Sequence, residues 1–248
     1  MKNLILLILI NFIISDQCYS QNWSWIGTDG HSDNESVKYV SVDSSGNSYI
    51  IGVFSQPMFY PPNRITSRGG DDFFIASYDP NGNLKWAKSG GGVADDGWSM
   101  YSITDSLGNT TVALSSIGQV QYDSVTLYNQ QYDINLLKYD STGNLLFAKS
   151  YGGASTDIAS GGALDSLGNF YLTGFYMNTI VFGSTILVSN GQTDFYLAKF
   201  DNTGNVIWAK NGGGISYDGG TGIAIDKYNH VYVTGYFSDV ADFIAATL

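Results

Sequence analysis

The 248-residue sequence is poor in cysteine, histidine and basic residues: it has one cysteine, two histidines and 11 lysine and arginine residues. One cysteine excludes a disulfide framework within the chain, and two histidines leave too few ligands for zinc sites of several cysteines and histidines. The formal net charge of −11 argues against nucleic acid, whose phosphates need a basic surface. It also argues against electrostatic docking on anionic lipid.

Residues 1–20 are predicted to be a secretory signal peptide. A short basic start precedes an apolar run at residues 4–14, and Cys18-Tyr19-Ser20 places small residues at the −3 and −1 positions of a cleavage site. The run is shorter than the roughly 20 residues that span a membrane. We therefore expect cleavage before Gln21, no membrane-spanning segment afterwards, and a secreted or cell-surface protein. The alternative is a lipoprotein signal with Cys18 as the lipidated residue.

Glycine and aromatic residues are abundant instead. The chain has 30 Gly, 18 Tyr, 13 Phe and 5 Trp, and 44% of its residues are hydrophobic. This composition supplies ample material for a core, and it is typical of many short strands joined by tight turns. No stretch of the sequence has the apolar period of a helix.

A repeat of 61 residues organises the chain. The motif Asp-x-x-Gly-Asn occurs in two interleaved series with this spacing, which begin at Asp79, Asp140 and Asp201 and at Asp43, Asp105 and Asp165, with a degenerate copy at Asp226. An aromatic-Ala-Lys step followed by glycines also recurs, at Trp86-Ala87-Lys88, Phe147-Ala148-Lys149 and Trp208-Ala209-Lys210. Several motifs with one period indicate a single repeated structural unit.

Each unit is predicted to form four antiparallel strands joined as two hairpins. The expected turns are residues 43–47, 79–83, 105–109, 140–144, 165–169, 201–205 and 226–230. The third strand is apolar on both faces, with Phe73 and Ile75 on one side and Phe74 and Tyr78 on the other. A sheet packed between two neighbours buries both faces. The sequence therefore predicts an all-β protein, a β-propeller of four-stranded antiparallel blades, rather than a β-solenoid with shorter rungs.

Several strings resemble the bacterial SBBP repeat, the seven-bladed β-propeller repeat. They are residues 226–237 (DKYNHVYVTGYF), 194–201 (DFYLAKFD) and the Gly-Asn-x-x-Trp-Ala-Lys stretch at 204–210. The resemblance covers nearly all of the mature chain, and it implies a propeller fold in an exported or cell-surface bacterial protein. It implies no catalytic residues. The second unit departs from the pattern, with Thr110 to Leu114 where the other units carry Tyr and Gly.

Residues 21–248 contain about 3.7 repeats, whereas propellers close with four to eight blades. We therefore expect an incomplete ring of three full blades plus parts of others, truncated at the C-terminus. Trp23-Ser24-Trp25 matches Trp86-Ala87-Lys88 and is expected to be the fourth strand of a blade whose other strands come from elsewhere. Open blade edges predict self-association or completion by a partner.

The Asp-x-x-Gly-Asn turns are the first candidate for chemistry, because oxygen ligands spaced along a loop suit calcium. They lack the alternating acidic pattern and the distal Glu of a calcium loop, and Asp with Gly-Asn is also what a hairpin turn requires. We favour the turn, with calcium as the alternative, and predict no metal site. The glycine clusters are expected to connect blades, since no Gly-Lys-Ser/Thr follows them to cradle phosphate.

Acidic and aromatic residues are the remaining candidates. Acid pairs such as Asp71-Asp72 and Asp95-Asp96 could serve glycoside cleavage. However, one acid recurs in every unit as Asp72, Asp133 and Asp194, and another as Asp96, Asp157 and Asp218, which favours a structural role. The repeated Trp86, Phe147 and Trp208 are expected to fill the space between blades rather than to stack on sugars. His31 and His230 are expected to be surface or turn residues.

We therefore predict a noncatalytic extracellular binding module that uses the loops of one rim to hold a protein or glycan, without a cofactor. One alternative is a structural spacer within a larger surface protein. Another is a lyase or glycosidase with its site at the central channel, which would need nonrepeating polar residues on one rim. The sequence does not indicate the partner.

Overall fold

The computed structural model describes residues 35–60 and 63–243. Within these two ranges the secondary structure consists of β-strands and no helix, which confirms the predicted all-β class. These ranges accordingly contain no helix that is long and apolar enough to cross a membrane. The predicted signal peptide with Cys18, the Trp23-Ser24-Trp25 strand and His31 lie outside the described residues.

The strands fall into four consecutive units. Unit 1 contains β1 (Ser36–Val42), β2 (Ser48–Phe54), β3 (Met58–Tyr60), β4 (Asn63–Ile65), β5 (Asp72–Tyr78) and β6 (Leu84–Gly92). Unit 2 contains β7 (Met100–Thr104), β8 (Thr110–Tyr122), β9 (Val125–Tyr139) and β10 (Leu145–Tyr151). Unit 3 contains β11 (Asp157–Leu164), β12 (Phe170–Tyr176), β13 (Thr179–Phe182), β14 (Thr185–Val188), β15 (Asp194–Phe200) and β16 (Val206–Gly214). Of unit 4 the structure describes β17 (Gly219–Ile225), β18 (Val231–Tyr236) and β19 (Ala241–Asp242).

Four strands pair antiparallel in chain order in each of the first three units. The orders are β1-β2-β5-β6, β7-β8-β9-β10 and β11-β12-β15-β16, and β17 pairs with β18 in unit 4. No sheet in the described part of the chain closes on itself. The first strands of successive units are neighbours, since β7 contacts β1 and β11, and β11 contacts β17. Ser41 and Thr104, for example, join β1 to β7 through hydroxyl groups 2.6 Å apart.

All seven predicted hairpin turns are present between these strands. In the first, the Asp43 carboxylate accepts hydrogen bonds from the amides of Ser45 at 2.8 Å and Asn47 at 2.9 Å, and Gly46 takes a φ of +81°. Glycine adopts this left-handed conformation without a Cβ penalty. In the degenerate turn that begins at Asp226, Asn229 replaces this glycine and takes a φ of 65°. The aspartates therefore act as turn residues, with their carboxylate oxygens used inside their own turns.

The glycine clusters lie where one unit meets the next. Gly90, Gly91 and Gly92 at the end of β6 pair with β8, so that units 1 and 2 share one eight-stranded sheet. A Cβ on Gly90 would lie 2.3 Å from Tyr122, and one on Gly92 would lie 2.3 Å from the backbone oxygen of Gln119. The end of β16 pairs with β19 in the same way. Only glycine allows this close approach, so the predicted role of the clusters as connections between units is confirmed.

The core lies between the units and is built from both faces of the third strands. Every residue of β5 from Asp72 to Tyr78 is buried, as the two apolar faces predicted. In unit 2 the strands β8 and β9 continue into the insert as one hairpin of 13 and 15 residues, with a register shift between Ser116 and Gly118. Units 1 and 3 have the separate short hairpins β3–β4 and β13–β14 instead. Unit 2, whose sequence differs from the other units at Thr110 to Leu114, therefore also differs from them in its insert.

Candidate functional site

The two ends of the units differ in chemistry. We call the end with the seven hairpin turns the turn rim, and the opposite end, with the inserted hairpins and the connections between units, the loop rim. Turns of successive units lie side by side on the turn rim, where the Ser44 hydroxyl donates to the Ser106 carbonyl at 2.7 Å. A binding surface on either rim is therefore assembled from more than one unit.

A groove of about 570 Å³ opens on the turn rim between units 2 and 3. Its two sides are the turns at residues 105–109 and 165–169. Four aliphatic side chains line it, those of Ile103, Leu107, Leu164 and Leu167. Leu107 and Leu167 are each 76% exposed. Exposed leucines at the mouth of a concave surface mark a contact region for another molecule.

One contact between units and one within unit 3 hold the polar lining of this groove in place. Lys138 of unit 2 donates from Nζ to the carbonyl of Asn202 in unit 3 at 3.4 Å. Asp165 forms an ion pair of 3.2 Å with Lys199. Although burial by itself raises the pKa of Asp165, hydrogen bonds from Asn169 and Lys199 bring it below its ordinary value. The groove thus combines an aliphatic lining with charged side chains that have fixed partners.

The repeated aromatic residues contact neighbouring turns. Trp86 of unit 1 donates from Nε1 to the carbonyl of Ser141 in unit 2 at 3.1 Å and stacks on Tyr139 with ring centres 6.2 Å apart. Phe147 lies against Gly204 of unit 3, where a Cβ would approach its ring to 2.6 Å. These two residues therefore fill the space between units, as predicted. Trp208 contacts Tyr171 of its own unit.

The loop rim brings together the two recurring series of aspartates. They form three pairs at the junctions between units, Asp72 with Asp96, Asp133 with Asp157, and Asp194 with Asp218, and all six side chains are at most 5% exposed. At the first junction a Cβ on Gly91 would lie 2.0 Å from Asp72 Oδ1 and 2.8 Å from Asp96 Oδ2. Both oxygens lie within 2.8 Å of the same point and are therefore close neighbours.

Hydrogen bonding differs between these pairs. Asp218 accepts from the amides of Gly214 at 2.6 Å and Ser238 at 3.0 Å, and Asp194 accepts from Asn190 and Ser189. In the second pair Asp133 Oδ2 accepts from the Gln130 amide at 3.0 Å, but Asp133 Oδ1 and both Asp157 oxygens lack a hydrogen-bond partner among the described residues. Only the third pair is fully hydrogen-bonded.

In the first pair each aspartate has one partnered and one unpartnered oxygen. The backbone amide of Arg68 donates to Asp72 Oδ2, and that of Gly92 donates to Asp96 Oδ2 at 2.6 Å. The Oδ1 atom of each residue has no hydrogen-bond partner within residues 35–60 and 63–243. The first pair is therefore intermediate between the other two.

Burial raises the pKa values of the carboxyls in the first two pairs. Desolvation raises the pKa of Asp96 to about 7 and that of Asp133 to about 6. Desolvation, together with the nearby charge of Asp133, raises the pKa of Asp157 to about 8. Raised carboxyl pKa values also occur in general acids, but these side chains are buried beneath the inserts, away from the groove on the turn rim.

Two predicted candidates are placed elsewhere. His230 lies exposed in its turn, with Nδ1 2.9 Å from Asp226 Oδ2, which confirms it as a turn residue. Asp71 and Asp95 lie in exposed or half-buried loops, where the Asp71 amide donates to Asp95 Oδ1 at 3.0 Å. Within the described ranges no group of three or more His, Cys, Asp or Glu side chains is arranged to hold a metal ion.

Sequence reasoning missed the groove and the pairing of the two aspartate series. A signal for the groove was present, because Lys138 and Lys199 recur one period apart and both lie beside it. The recurrence of both aspartates was noticed, but their proximity depends on how successive units pack. The period alone does not report on that packing.

No protein-family model matches the sequence. Regulatory protein FlaEY of Caulobacter vibrioides is 31% identical over 109 residues, which cover 42% of this chain and 11% of that protein. An uncharacterized WD repeat-containing protein of Acanthamoeba polyphaga mimivirus is 24% identical over 135 residues, which cover 50% of this chain and 9% of that protein. The chain thus spans about a tenth of the length of these curated relatives.

Proposed function

We propose that the four units are blades of a β-propeller, and that the chain is a noncatalytic extracellular binding module whose groove on the turn rim holds an extended protein segment. The blade interpretation is supported by four antiparallel strands per unit in chain order and by the first strands lying side by side. Similarity to a WD repeat-containing protein and the resemblance to the SBBP repeat agree with it. The extracellular location follows from the predicted signal peptide.

The observation that carries the binding function is the aliphatic groove between the turns of units 2 and 3. Successive side chains of an extended segment point to opposite sides, so that every second residue can point into such a groove. Leu107 and Leu167, on opposite sides of the groove, would each contact the segment. Exposed apolar side chains that become buried on binding are the usual source of affinity.

The lining favours a polypeptide over a glycan. None of the described residues that line the groove is aromatic, so that it offers no ring on which a sugar could stack. The net charge of −11 disfavours acidic partners at long range. We therefore expect a neutral or basic segment that carries aliphatic residues at alternate positions.

An array of synthetic peptides that varies aliphatic content and net charge would test this function. Leu107→Asp and Leu167→Asp should each weaken peptide binding about tenfold, because burying one leucine contributes about 1.5–3 kcal/mol. The matched control is Ile186→Asp, which changes a side chain that is 63% exposed on β14, in the insert of the loop rim. Binding that survives both leucine changes, or binding to a glycan array alone, would contradict the proposal.

A further inference from the structure

The second junction buries two carboxyl groups with little to neutralise them. Asp157 is fully buried at the start of β11, and neither of its carboxyl oxygens has a hydrogen-bond partner among the described residues. Asp133, at 5% exposure in β9, is its electrostatic neighbour and leaves Oδ1 unpartnered. Three buried carboxyl oxygens at one junction therefore lack a well-formed hydrogen bond, although the Gly153 amide acts on both carboxyls and partly opposes the rise in their pKa values.

The groups that face this pair do not supply a positive charge. Asp157 interacts with Asp133, with Tyr176 of β12 and with Tyr196 of β15, while the amide of Gly153 lies near both carboxyls. The hydroxyl of Tyr196 donates to the Ile158 carbonyl, and that of Tyr176 is bonded to the side chain of Asn211. No lysine, arginine or histidine is among the described groups that act on Asp133 or Asp157.

Two adjacent carboxylates in such a site repel each other and also lose their hydration. A single proton removes both penalties, because it neutralises one group and turns that group into a donor to the other. The two carboxyls of aspartic proteases share a proton for the same physical reason. An unpartnered oxygen on each residue leaves an acceptor free for such a proton.

We propose that Asp133 and Asp157 share one proton in the folded protein at neutral pH, and that its release in mildly alkaline solution loosens the junction between units 2 and 3. The structure indicates where the loosening would occur. The Val181 amide of unit 3 donates to the Gly152 carbonyl of unit 2 at 3.0 Å, directly beside the pair. A Cβ on Gly152 would lie 2.3 Å from Asp133 Oδ1, so movement of this carboxyl displaces the bridge.

The third junction is a natural comparison. Asp194 and Asp218 are equally buried, but amides and a hydroxyl donate to their oxygens. Hydrogen bonds donated to a carboxylate favour its ionised form and oppose the effect of burial. We therefore expect the alkaline response at the second junction and not at the third.

Carbon-13 NMR of aspartate carboxyls in the wild-type chain measures the proton directly. The Asp133–Asp157 pair should titrate in two steps, one near pH 6 and one near pH 8. The resonances are assigned by their loss in Asp133→Asn and Asp157→Asn. Two titrations below about pH 5, near the ordinary aspartate value, would overturn the proposal.

Amide exchange and thermal unfolding measure the consequence. Between pH 6 and 9 the exchange of the Val181 amide, corrected for its intrinsic pH dependence, should accelerate at least tenfold, and the unfolding midpoint should fall by several degrees. Asp157→Asn, which mimics the protonated acid and can donate to Asp133, should abolish the acceleration at Val181. It should also reduce the fall in the midpoint, whose remainder comes from Asp96 at the first junction, with its pKa of about 7. The control Asp218→Asn should lower the midpoint at every pH and leave the alkaline response in place. An unchanged response in Asp157→Asn would contradict the inference.

Discussion

Aspartates recur with the same period on both rims, yet the pKa values of Asp201 on the turn rim and Asp157 on the loop rim are shifted in opposite directions. On the turn rim, partial burial by itself raises the pKa of Asp201, but hydrogen bonds from Thr203 and Asn205 lower it to about 2. On the loop rim, desolvation raises the pKa of Asp157 to about 8. Exposure to water and the number of nearby donors account for the difference. Recurrence alone therefore does not tell what a residue does.

The largest effect should separate the glycines of the two rims. Gly92→Ala on the loop rim would place a Cβ 2.3 Å from the backbone oxygen of Gln119, and backbone in a sheet does not move aside. We expect a loss of unfolding free energy of about 3 kcal/mol or more. Urea unfolding followed by circular dichroism measures it.

The control for that change is Gly168→Ala on the turn rim. Gly168 has a φ of +79° but no atom within 4 Å of a Cβ, so that only the cost of the left-handed backbone applies, about 1–2 kcal/mol. Equal losses of unfolding free energy for Gly92→Ala and Gly168→Ala would show that the close approach of units 1 and 2 does not require glycine at position 92.

A second comparison removes one carboxylate from each rim. Asp218→Ala leaves the half-buried amides of Gly214 and Ser238 without this acceptor, and a donor shielded from water that loses its partner costs about 1–3 kcal/mol. Asp201→Ala exposes the corresponding turn amides to water, and we expect a loss of about 1 kcal/mol or less. The losses of unfolding free energy relative to wild type, measured side by side at pH 7, should be at least twice as large for Asp218→Ala as for Asp201→Ala. The reverse order would refute the contrast between the rims.

The smallest effect concerns the acid side of the stability profile. The pKa of Asp201 is lower in the folded chain than the unfolded value of about 3.9, so its contribution is present above that pH and is lost as the pH falls towards 2. Because the side chain is only half-buried and water screens its charge, we expect less than about 1 kcal/mol. Asp201→Asn, which keeps the side-chain acceptor, should flatten the unfolding free energy between pH 4 and 2. A slope unchanged from wild type would contradict this role.

Much of the fold could be predicted, because the turns are local. Asp43, Gly46 and Asn47 contain within five residues the carboxylate, the left-handed backbone and the closing amide of one turn. The burial of both faces of β5 was likewise predicted from the apolar side chains on its two sides, such as Phe73 and Phe74. The long β8–β9 hairpin of unit 2 was not, because nothing in its composition indicates that the second and third strands continue into the insert.

The candidate sites were less accessible to sequence reasoning. The groove requires Lys138 of unit 2 and Asn202 of unit 3 to meet across a junction, and they are 64 residues apart. The proposed shared proton depends on both carboxyl oxygens of Asp157 lacking a well-formed hydrogen bond among the described residues, although those of the equivalent Asp218 have one each. Both are properties of packing between units rather than of a motif.

Strand order, turn chemistry and the all-β class follow from the sequence, because a repeated pattern of apolar residues, aspartate and glycine specifies hairpins through short-range hydrogen bonds and burial. Packing of the units against each other decided which buried aspartate oxygens have hydrogen-bond partners and which surface is a groove. The reason is that desolvation and donor placement depend on atoms from several units at once. Identical residues one period apart, such as Asp157 and Asp218, therefore acquire different chemistry only in the folded chain.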